Sequence, residues 1–299
     1  MKQIFFLLFS FITLALVAQN KRDKAIHNTI YPLFYENYEQ AKAEILKLEE
    51  SYGYETNLKY LLINRSFEEN DMEFFKTELT TLVRDYGFNL AYEPETKIYY
   101  EAITIGALAV WFKTMYLKNH VIWLDNNFLK QADLNQLNAL NYKTRMFNKV
   151  RYEIDQKITV DSIQKEQQKK VFEDLAFSNL AELYALTRKL DIYPTGKNFA
   201  LIQNDFSILE YQNFGIERNF EKSWMLFEPF YKKAYLKHAL DYIIYKNYDN
   251  YSFIHYKNQR YGLISIFDIP EIYQEDLFSI PTRDQEFSNN VKAEFNWEK

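Results

Sequence analysis

The residues most able to do chemistry lie close together near the C-terminus of the chain. His238 and Asp241 are three positions apart, so on a helix they share one face and the carboxylate could orient the imidazole. Asp249 and His255 follow a short distance further on. If the chain folds back on itself, these four side chains could line one cleft with histidine as a general base. The competing interpretation is a solvated helix face, because neighbours in sequence need not converge in space.

A second polar cluster, Gln259-Arg260-Tyr261, follows directly. A guanidinium in a cleft can hold an anion, so these three residues are candidates for ligand binding. The competing interpretation is an ordinary polar turn. No metal site is predicted, because the four histidines of the chain are too scattered to show metal-ligand spacing.

Other catalytic chemistry has little support in the sequence. There is no cysteine, hence no thiol nucleophile, and there is no Gly-x-Ser-x-Gly motif for a serine hydrolase. Thr195-Gly196-Lys197 resembles the end of a phosphate-binding loop, but the earlier glycine and the following Ser or Thr are missing. No cofactor is therefore predicted, and whether the protein is an enzyme stays open.

The N-terminus has the order of an export signal. A basic start at Met1-Lys2 precedes a largely apolar core at 4–17 and a small residue, Ala18. The core is shorter than the roughly 20 residues that a membrane-spanning helix needs, so we expect residues 1–18 to be a signal peptide that is removed. Export places the protein in the periplasm of a bacterium or outside the cell. Without cysteine, the exported product has neither a lipid attachment site nor disulfides.

Composition bounds the fold class. The hydrophobic fraction of 47% and the charged fraction of 26% are those of a globular chain. Glycine and proline, six of each, supply few of the breaks that an all-β or α/β protein needs, so we expect a mainly α fold. The net charge of -5 argues against a nucleic-acid partner. Most of the 25 tyrosines and 25 phenylalanines fall at helical spacing and should be core, although a sugar-binding surface of exposed tyrosines is the alternative.

A spacing of 34 residues organises the first part of the chain. Residues 37–54 and 71–88 share apolar positions at steps of three and four, and both end in an aromatic-Gly-aromatic sequence around Gly53 and Gly87. Glycine suits the left-handed residue that closes a helix. Because a tetratricopeptide hairpin has this length, residues 22–90 resemble tetratricopeptide-like repeats, although no Trp-x-x-Leu-Gly-x-x-Tyr run is present. The resemblance implies stacked helical hairpins with a concave surface for proteins or peptides.

A long helix should follow, from near Pro94 to about Lys118. Its apolar run at 102–112 lies between Glu101 and Lys113 and is too short to cross a membrane. We therefore expect a buried core helix, and a protein that does not span a membrane once the signal is removed.

The second half of the sequence predicts further helices and then one β-hairpin. Helical patterns cover 161–190 and 217–237, and aromatic and β-branched runs at 251–256 and 261–267 favour two paired strands. The predicted organisation is a signal peptide at 1–18, a helical-repeat-like domain at 19–152, a helical domain with a terminal β-hairpin at 153–280, and a polar tail at 281–299.

Residues 151–262 resemble a family of uncharacterised bacterial proteins known as a domain of unknown function. The resemblance rests on Asp155-Gln156, Asn179-Leu180, Tyr193-Pro194, and Asp249 ten residues before Gln259-Arg260-Tyr261-Gly262. Three places depart from the family pattern: Ile192 stands where the family has glycine, no histidine follows near Tyr211-Gln212, and Leu263-Ile264 replaces Thr-Gln. The resemblance implies an architecture and a surface of interest, but no activity.

These features predict an exported helical protein that binds or scaffolds a protein or peptide partner in the bacterial cell envelope. The alternative is a hydrolase that acts on an envelope polymer through the His/Asp residues near the predicted hairpin. The ligand, the oligomeric state and the biological process stay open.

Overall fold

The computed structural model describes residues 21–155, 162–199, 201–202, 207–274 and 277–297. In these ranges the chain is helical, and extended backbone pairs only in an isolated bridge between Gln259 and Thr282. The predicted mainly α fold is confirmed. No helix in the same ranges is long and apolar enough to cross a membrane. The predicted signal peptide lies outside the described residues.

The chain forms two compact units whose segments alternate along the sequence. The N-terminal unit combines Lys24–Asn141 with Pro194–Asp205, and the C-terminal unit combines Tyr142–Tyr193 with Phe206–Lys299 and also takes in Asp23. The chain therefore passes from one unit to the other after residues 23, 141, 193 and 205. Neither unit is formed from one continuous stretch of sequence.

The N-terminal unit is a succession of helices. A π-helical turn at Ala25–Ile30 leads into this series: α1 Tyr31–Glu36, α2 Tyr38–Tyr52, α3 Thr56–Glu68, α4 Met72–Asp85, α5 Tyr100–Thr104 and α6 Ala109–Asn126, followed by the first part of α7, Gln131–Asp155.

The 34-residue spacing of the sequence separates α2 from α4. Asn37 and Asp71 are the N-caps of these helices, and each side chain accepts a hydrogen bond from a backbone N–H of the first turn. Gly53 and Gly87 follow the helices with φ of 74° and 71°, a region that glycine enters without a Cβ clash. The two helices and their glycine closures are present as predicted.

A charged cluster is buried among α2, α3 and α4. The ammonium of Lys59, a fully buried residue, lies 3.1 Å from the carboxylate of Glu49 and 2.9 Å from that of Glu78. The hydroxyl of Tyr54 donates a hydrogen bond to Glu78. Burial raises the pKa of Glu49, and hydrogen bonds from Lys59 and from the N–H of Glu55 oppose that rise. Such a cluster is stable only as a set, because removal of one partner leaves uncompensated charge.

The chain breaks between α5 and α6, so the prediction of one buried helix across 102–112 is wrong. The N–H of Gly106 donates to the carbonyl of Glu101 at 2.8 Å, and a new helix starts at Ala109. A Cβ at position 106 would lie 2.9 Å from the Cα of Ala102, so glycine permits this close turn. Several apolar residues of the run are exposed as a result.

The returning segment Pro194–Asp205 is attached to the N-terminal unit by specific contacts. The ammonium of Lys197 lies 2.8 Å from the buried carboxylate of Glu55. The N–H of Ile202 donates to the carbonyl of Tyr86, and its side chain joins the apolar core of the unit. This segment contains the short helix α9, Gly196–Phe199.

The C-terminal unit is also helical. It contains the second part of α7, then α8 Ser162–Leu190, α10 Ser207–Phe214, α11 Glu217–Leu236, α12 Ile243–Tyr256 and α13 Gln285–Phe295.

The core of the C-terminal unit is built from aromatic rings. Trp224 of α11 lies in contact with Tyr231, Tyr245, Tyr248 and Tyr261, at centroid distances of 4.4 to 5.7 Å. The indole N–H donates to the hydroxyl of Tyr261 at 2.9 Å. Such ring pairs contribute about 0.5–1.5 kcal/mol each beyond their buried area. These tyrosines are therefore core residues.

The predicted β-hairpin at 251–256 and 261–267 is wrong. Residues 251–256 are the last turns of α12, whose buried residues Tyr245, Tyr248 and Ser252 recur at steps of three and four. Aromatic composition favours strands, but burial of these rings in the core favours the helix. Lys257 ends it with a left-handed φ of 57°.

The segment after Pro281, predicted as a polar tail, contains a packed helix. Asp284 caps α13 by accepting a hydrogen bond from a backbone N–H of the first turn. Phe295 is buried against Tyr235, and the indole N–H of Trp297 donates to the Tyr235 hydroxyl. Two aromatic residues among polar neighbours therefore anchor this helix in the core.

Candidate functional site

The four candidate catalytic residues lie at different places around α11 and α12. His238 follows α11 with a left-handed φ of 58°. Asp241 precedes α12, and its carboxylate accepts a hydrogen bond from the N–H of Ile243 at 3.0 Å. Asp249 is fully buried within α12. His255, in the last turn of α12, lines a cavity.

The carboxylate of Asp249 holds the loop that follows α12. One oxygen accepts the N–H groups of Arg260 at 2.8 Å and Tyr261 at 2.9 Å, and the other accepts the N–H of Leu263 at 2.9 Å. Burial raises the pKa of Asp249, while these three hydrogen bonds oppose the rise. The carboxylate of Asp249 is therefore hydrogen-bonded to the backbone of the Gln-Arg-Tyr-Gly segment and of Leu263.

Two of the three candidate ligand-binding residues are also committed to structure. The side chain of Gln259 donates to the carbonyl of Ile280 and accepts from the N–H of Ile264, each at 3.1 Å. Tyr261 is buried in the aromatic core. Arg260 is half-buried, with its guanidinium 4.8 Å from the ring centre of Phe287. Of the three, Arg260 keeps the most contact with solvent.

A cavity of about 880 Å³ opens in the C-terminal unit beside His255. Phe147 and Phe172 form part of its apolar wall, and the guanidinium of Arg218 in the lining pairs with Glu173 at 2.5 Å. A cavity of this size can admit a small molecule. Because lysines, arginines and glutamates all line it, the wall does not select the charge of a ligand.

The imidazole of His255 is oriented by the backbone. Its Nε2 lies 2.6 Å from the carbonyl oxygen of Phe214, so this nitrogen carries a proton and donates it to the carbonyl. The carboxylate of Asp249, predicted to lie near it in a catalytic cleft, is occupied by backbone N–H groups. Among the described residues, no group of three or more His, Cys, Asp or Glu is placed to hold a metal ion.

A row of exposed apolar residues lies on α6 in the N-terminal unit. Val110 is 83% exposed, Leu117 is 59% exposed, and Phe128, just beyond the helix, is 74% exposed. The members are all exposed and recur at steps of four and three along the chain. We call this row the α6 stripe: the apolar residues Val110, Leu117, Val121, Leu124 and Phe128, together with the exposed Thr114, the one polar member.

The opposite face of α6 is buried in the N-terminal unit. Phe112 and Met115 join the core cluster with Phe75 and Leu82 of α4. At 100° per residue, the members of the α6 stripe from Val110 to Leu124 fall within about 40° of a line opposite to the centre of the buried face around Asn119. The helix is therefore apolar on two opposite faces, of which one is covered and the other is exposed.

The apolar spacing of the α6 stripe can be recognised in the sequence. It was missed because the predicted helix ends at Lys118, before the pattern is complete. The steps of four and three continue from Val110 to Phe128, well past that position. An apolar helix face that ends at 118 shows too few of these steps to stand out. The assignment of 102–112 to the core also treated Val110 as buried.

Comparison of the chain with protein-family models, with curated proteins and with solved structures finds no match. The resemblances of residues 22–90 and 151–262 stay predictions from the sequence features quoted for them. Function is therefore inferred from the surfaces of the molecule.

Proposed function

We propose that this protein is an exported binding or scaffolding protein of the bacterial cell envelope, and that it binds an apolar helix of a protein partner through the α6 stripe. The observation that carries the proposal is the exposed apolar row on a helix whose other face is already buried. Contiguous apolar patches on soluble proteins mark interaction sites. The export signal predicted at 1–18 supports the location.

The shape of the α6 stripe favours a helix as the partner. Steps of four and three form the narrow seam that one helix presents to another. Exposed polar residues flank the seam at Lys113, Lys118 and Asp125, and they would stay at the solvated rim of a complex. Apart from the hydroxyl of Thr114, which donates to the carbonyl of Val110 within the helix, the α6 stripe offers no side-chain hydrogen-bonding group for a sugar.

The hydrolase alternative has less support. It requires His238 and His255 to face one cleft, but His238 is not among the residues that line the cavity beside His255. The carboxylate of Asp249 is hydrogen-bonded to backbone. We therefore favour the binding function over the hydrolase function.

Site-specific photo-crosslinking in the bacterial envelope tests the proposed function. A photoreactive amino acid in place of Leu117 in the full-length chain should crosslink to one apolar helix face of a protein, identified by mass spectrometry. The same probe in place of Thr77, an exposed residue of α4, is the matched control.

A second substitution tests whether the crosslink depends on the whole α6 stripe. Leu124→Asp should lower the crosslinking yield from position 117 at least several-fold, because a charge in the seam is costly to bury. Equal crosslinking from positions 117 and 77, or no effect of Leu124→Asp, would contradict the proposal.

A further inference from the structure

The geometry of the α6 stripe points to a second copy of this chain as its partner, with the two α6 helices parallel and in register. This inference rests on the proposed use of the stripe to bind a helix. It adds the identity of the partner and the direction in which the two helices run.

The residue types along the α6 stripe match those of a parallel two-stranded coiled coil. The spacing assigns Val110, Leu117 and Leu124 to one set of core positions, called d, and Thr114 and Val121 to the alternate set, called a. Parallel pairs prefer β-branched residues at a and leucine at d. Both a residues within α6 are β-branched, and two of the three d residues are leucine. In a parallel pair each core position meets its own copy, so one sequence satisfies both sides.

The α6 stripe is short for a coiled coil but is held on a preformed helix. From Val110 to Leu124 it spans about 21 Å of helix, and isolated helices of this length are marginal in water. Here Phe112 and Met115 already fix α6 against α4 through its other face. Pairing therefore does not require the helix to fold, which removes a cost that free peptides bear.

Charged residues beside the seam neither drive nor prevent pairing. In the parallel register His120 lies opposite the partner subunit's Asp125, and Lys113 lies opposite the partner subunit's Lys118, by the heptad positions that flank the core. The lysine pairing is repulsive and lies at the solvated rim, and His120, half-buried and stacked on the rings of Tyr116 and Trp123, contributes little toward the partner's Asp125. The apolar seam therefore determines the affinity.

Single cysteine substitutions test both the partner and the direction, because the chain has no cysteine of its own. Leu117→Cys and Leu124→Cys should each form an intermolecular disulfide under mild oxidation, since a parallel register places each position against its own copy. Thr77→Cys, exposed on α4, is the matched control and should stay largely reduced. In an antiparallel pair centred near residue 119, the two copies of residue 124 would lie about 15 Å apart, too far for a disulfide.

Sedimentation of the full-length protein gives an independent measurement. The unsubstituted chain should sediment as a dimer and Leu117→Asp as a monomer, while Thr77→Asp should remain a dimer. Circular dichroism and thermal unfolding of Leu117→Asp should match those of Thr77→Asp, which shows that the fold is retained.

The outcomes separate this inference from the function on which it rests. A disulfide at position 117 but none at 124 would overturn the parallel register. No disulfide above the level of Thr77→Cys, together with a monomeric chain, would overturn the second copy as the partner. If Leu117 then crosslinks a different protein in the envelope, the binding function survives without self-association. If no specific crosslink forms there either, both proposals fail.

Discussion

Asp249 shows how one buried carboxylate can organise a loop. It accepts three backbone N–H groups, so in Asp249→Asn one acceptor oxygen becomes an amide group that can only donate. At least one buried N–H then loses its acceptor, which costs about 1–3 kcal/mol. We expect the free energy of unfolding of Asp249→Asn to fall by that amount, measured by chemical denaturation.

A matched control for this substitution is Asp284→Asn. Asp284 is the N-cap of α13, and asparagine is as good an N-cap as aspartate. Its free energy of unfolding should change by less than about 0.5 kcal/mol. If the two variants lose the same free energy of unfolding, the three hydrogen bonds of Asp249 do not stabilise the fold more than an ordinary N-cap does.

Residue chemistry alone could not reveal what Asp249 does. The sequence gives the types and the spacing of His238, Asp249 and His255, and these are compatible with a catalytic role. It does not give the contacts that each side chain makes. The contacts of Asp249 depend on how the loop after α12 returns. That return is fixed by the burial of Tyr261 against Trp224, a long-range contact with no local pattern.

At the scale of elements, the packing of α13 is the clearest departure from expectation. Phe295 is 2% exposed, so Phe295→Ala leaves a cavity in the aromatic core and should lower the free energy of unfolding by about 3–5 kcal/mol. Thermal or urea unfolding of the full-length chain measures this. Phe278→Ala removes the same atoms from a side chain that is 104% exposed and should change stability by less than about 0.5 kcal/mol. Equal effects would mean that α13 is not packed as described.

Sequence patterns predicted those helices whose caps and periodicity agree. α2 and α4 have N-cap side chains, regular apolar steps and closing glycines, and α8 and α11 have long helical patterns, the second of which continues across Pro229. The end of α12 was missed because its aromatic and β-branched residues favour strands, and burial of Tyr245 and Tyr248 overrides that preference. The break before α6 was missed because Gly106 is a single glycine inside an apolar run.

At the scale of the whole molecule, Asp23 should make stability depend on pH. Burial, and then repulsion by Asp241, raise the pKa of Asp23 from 3.8 to about 8. The unfolded chain releases this proton near pH 4, whereas the folded chain keeps it to about pH 8. The free energy of unfolding should therefore fall as pH rises through this window, with a contribution of at most about 1.4 kcal/mol per pH unit.

Asp23→Asn removes this titration and should flatten the pH dependence between about 4 and 8. The variant should be more stable than the original chain near pH 8 and differ little below pH 4, as followed by thermal unfolding over a pH series. The matched control is Asp174→Asn, which alters an exposed carboxylate. If Asp23→Asn leaves the slope unchanged, Asp23 is ionised in the folded protein across this range.

The division of the chain into units depends on contacts that no local pattern reports. A boundary near residue 152 follows the change in sequence character, but the segment 194–205 joins the earlier helices through Lys197 and Ile202. Lysine beside a proline-glycine break resembles an ordinary turn in the sequence. Its partner Glu55 lies 142 positions earlier, which is beyond the reach of periodicity.

The alternation of segments between the two units also determines the order in which each unit can complete its folding. A chain that is synthesised or threaded through a membrane from its N-terminus presents residues 24–141 first. The carboxylate of Glu55 meets the ammonium of Lys197 only after the whole of α8 has emerged. The earlier unit thus stays unfinished while the later one is appearing. We therefore expect a nascent chain to expose the incomplete N-terminal unit for longer than a chain of two sequential domains exposes its first one.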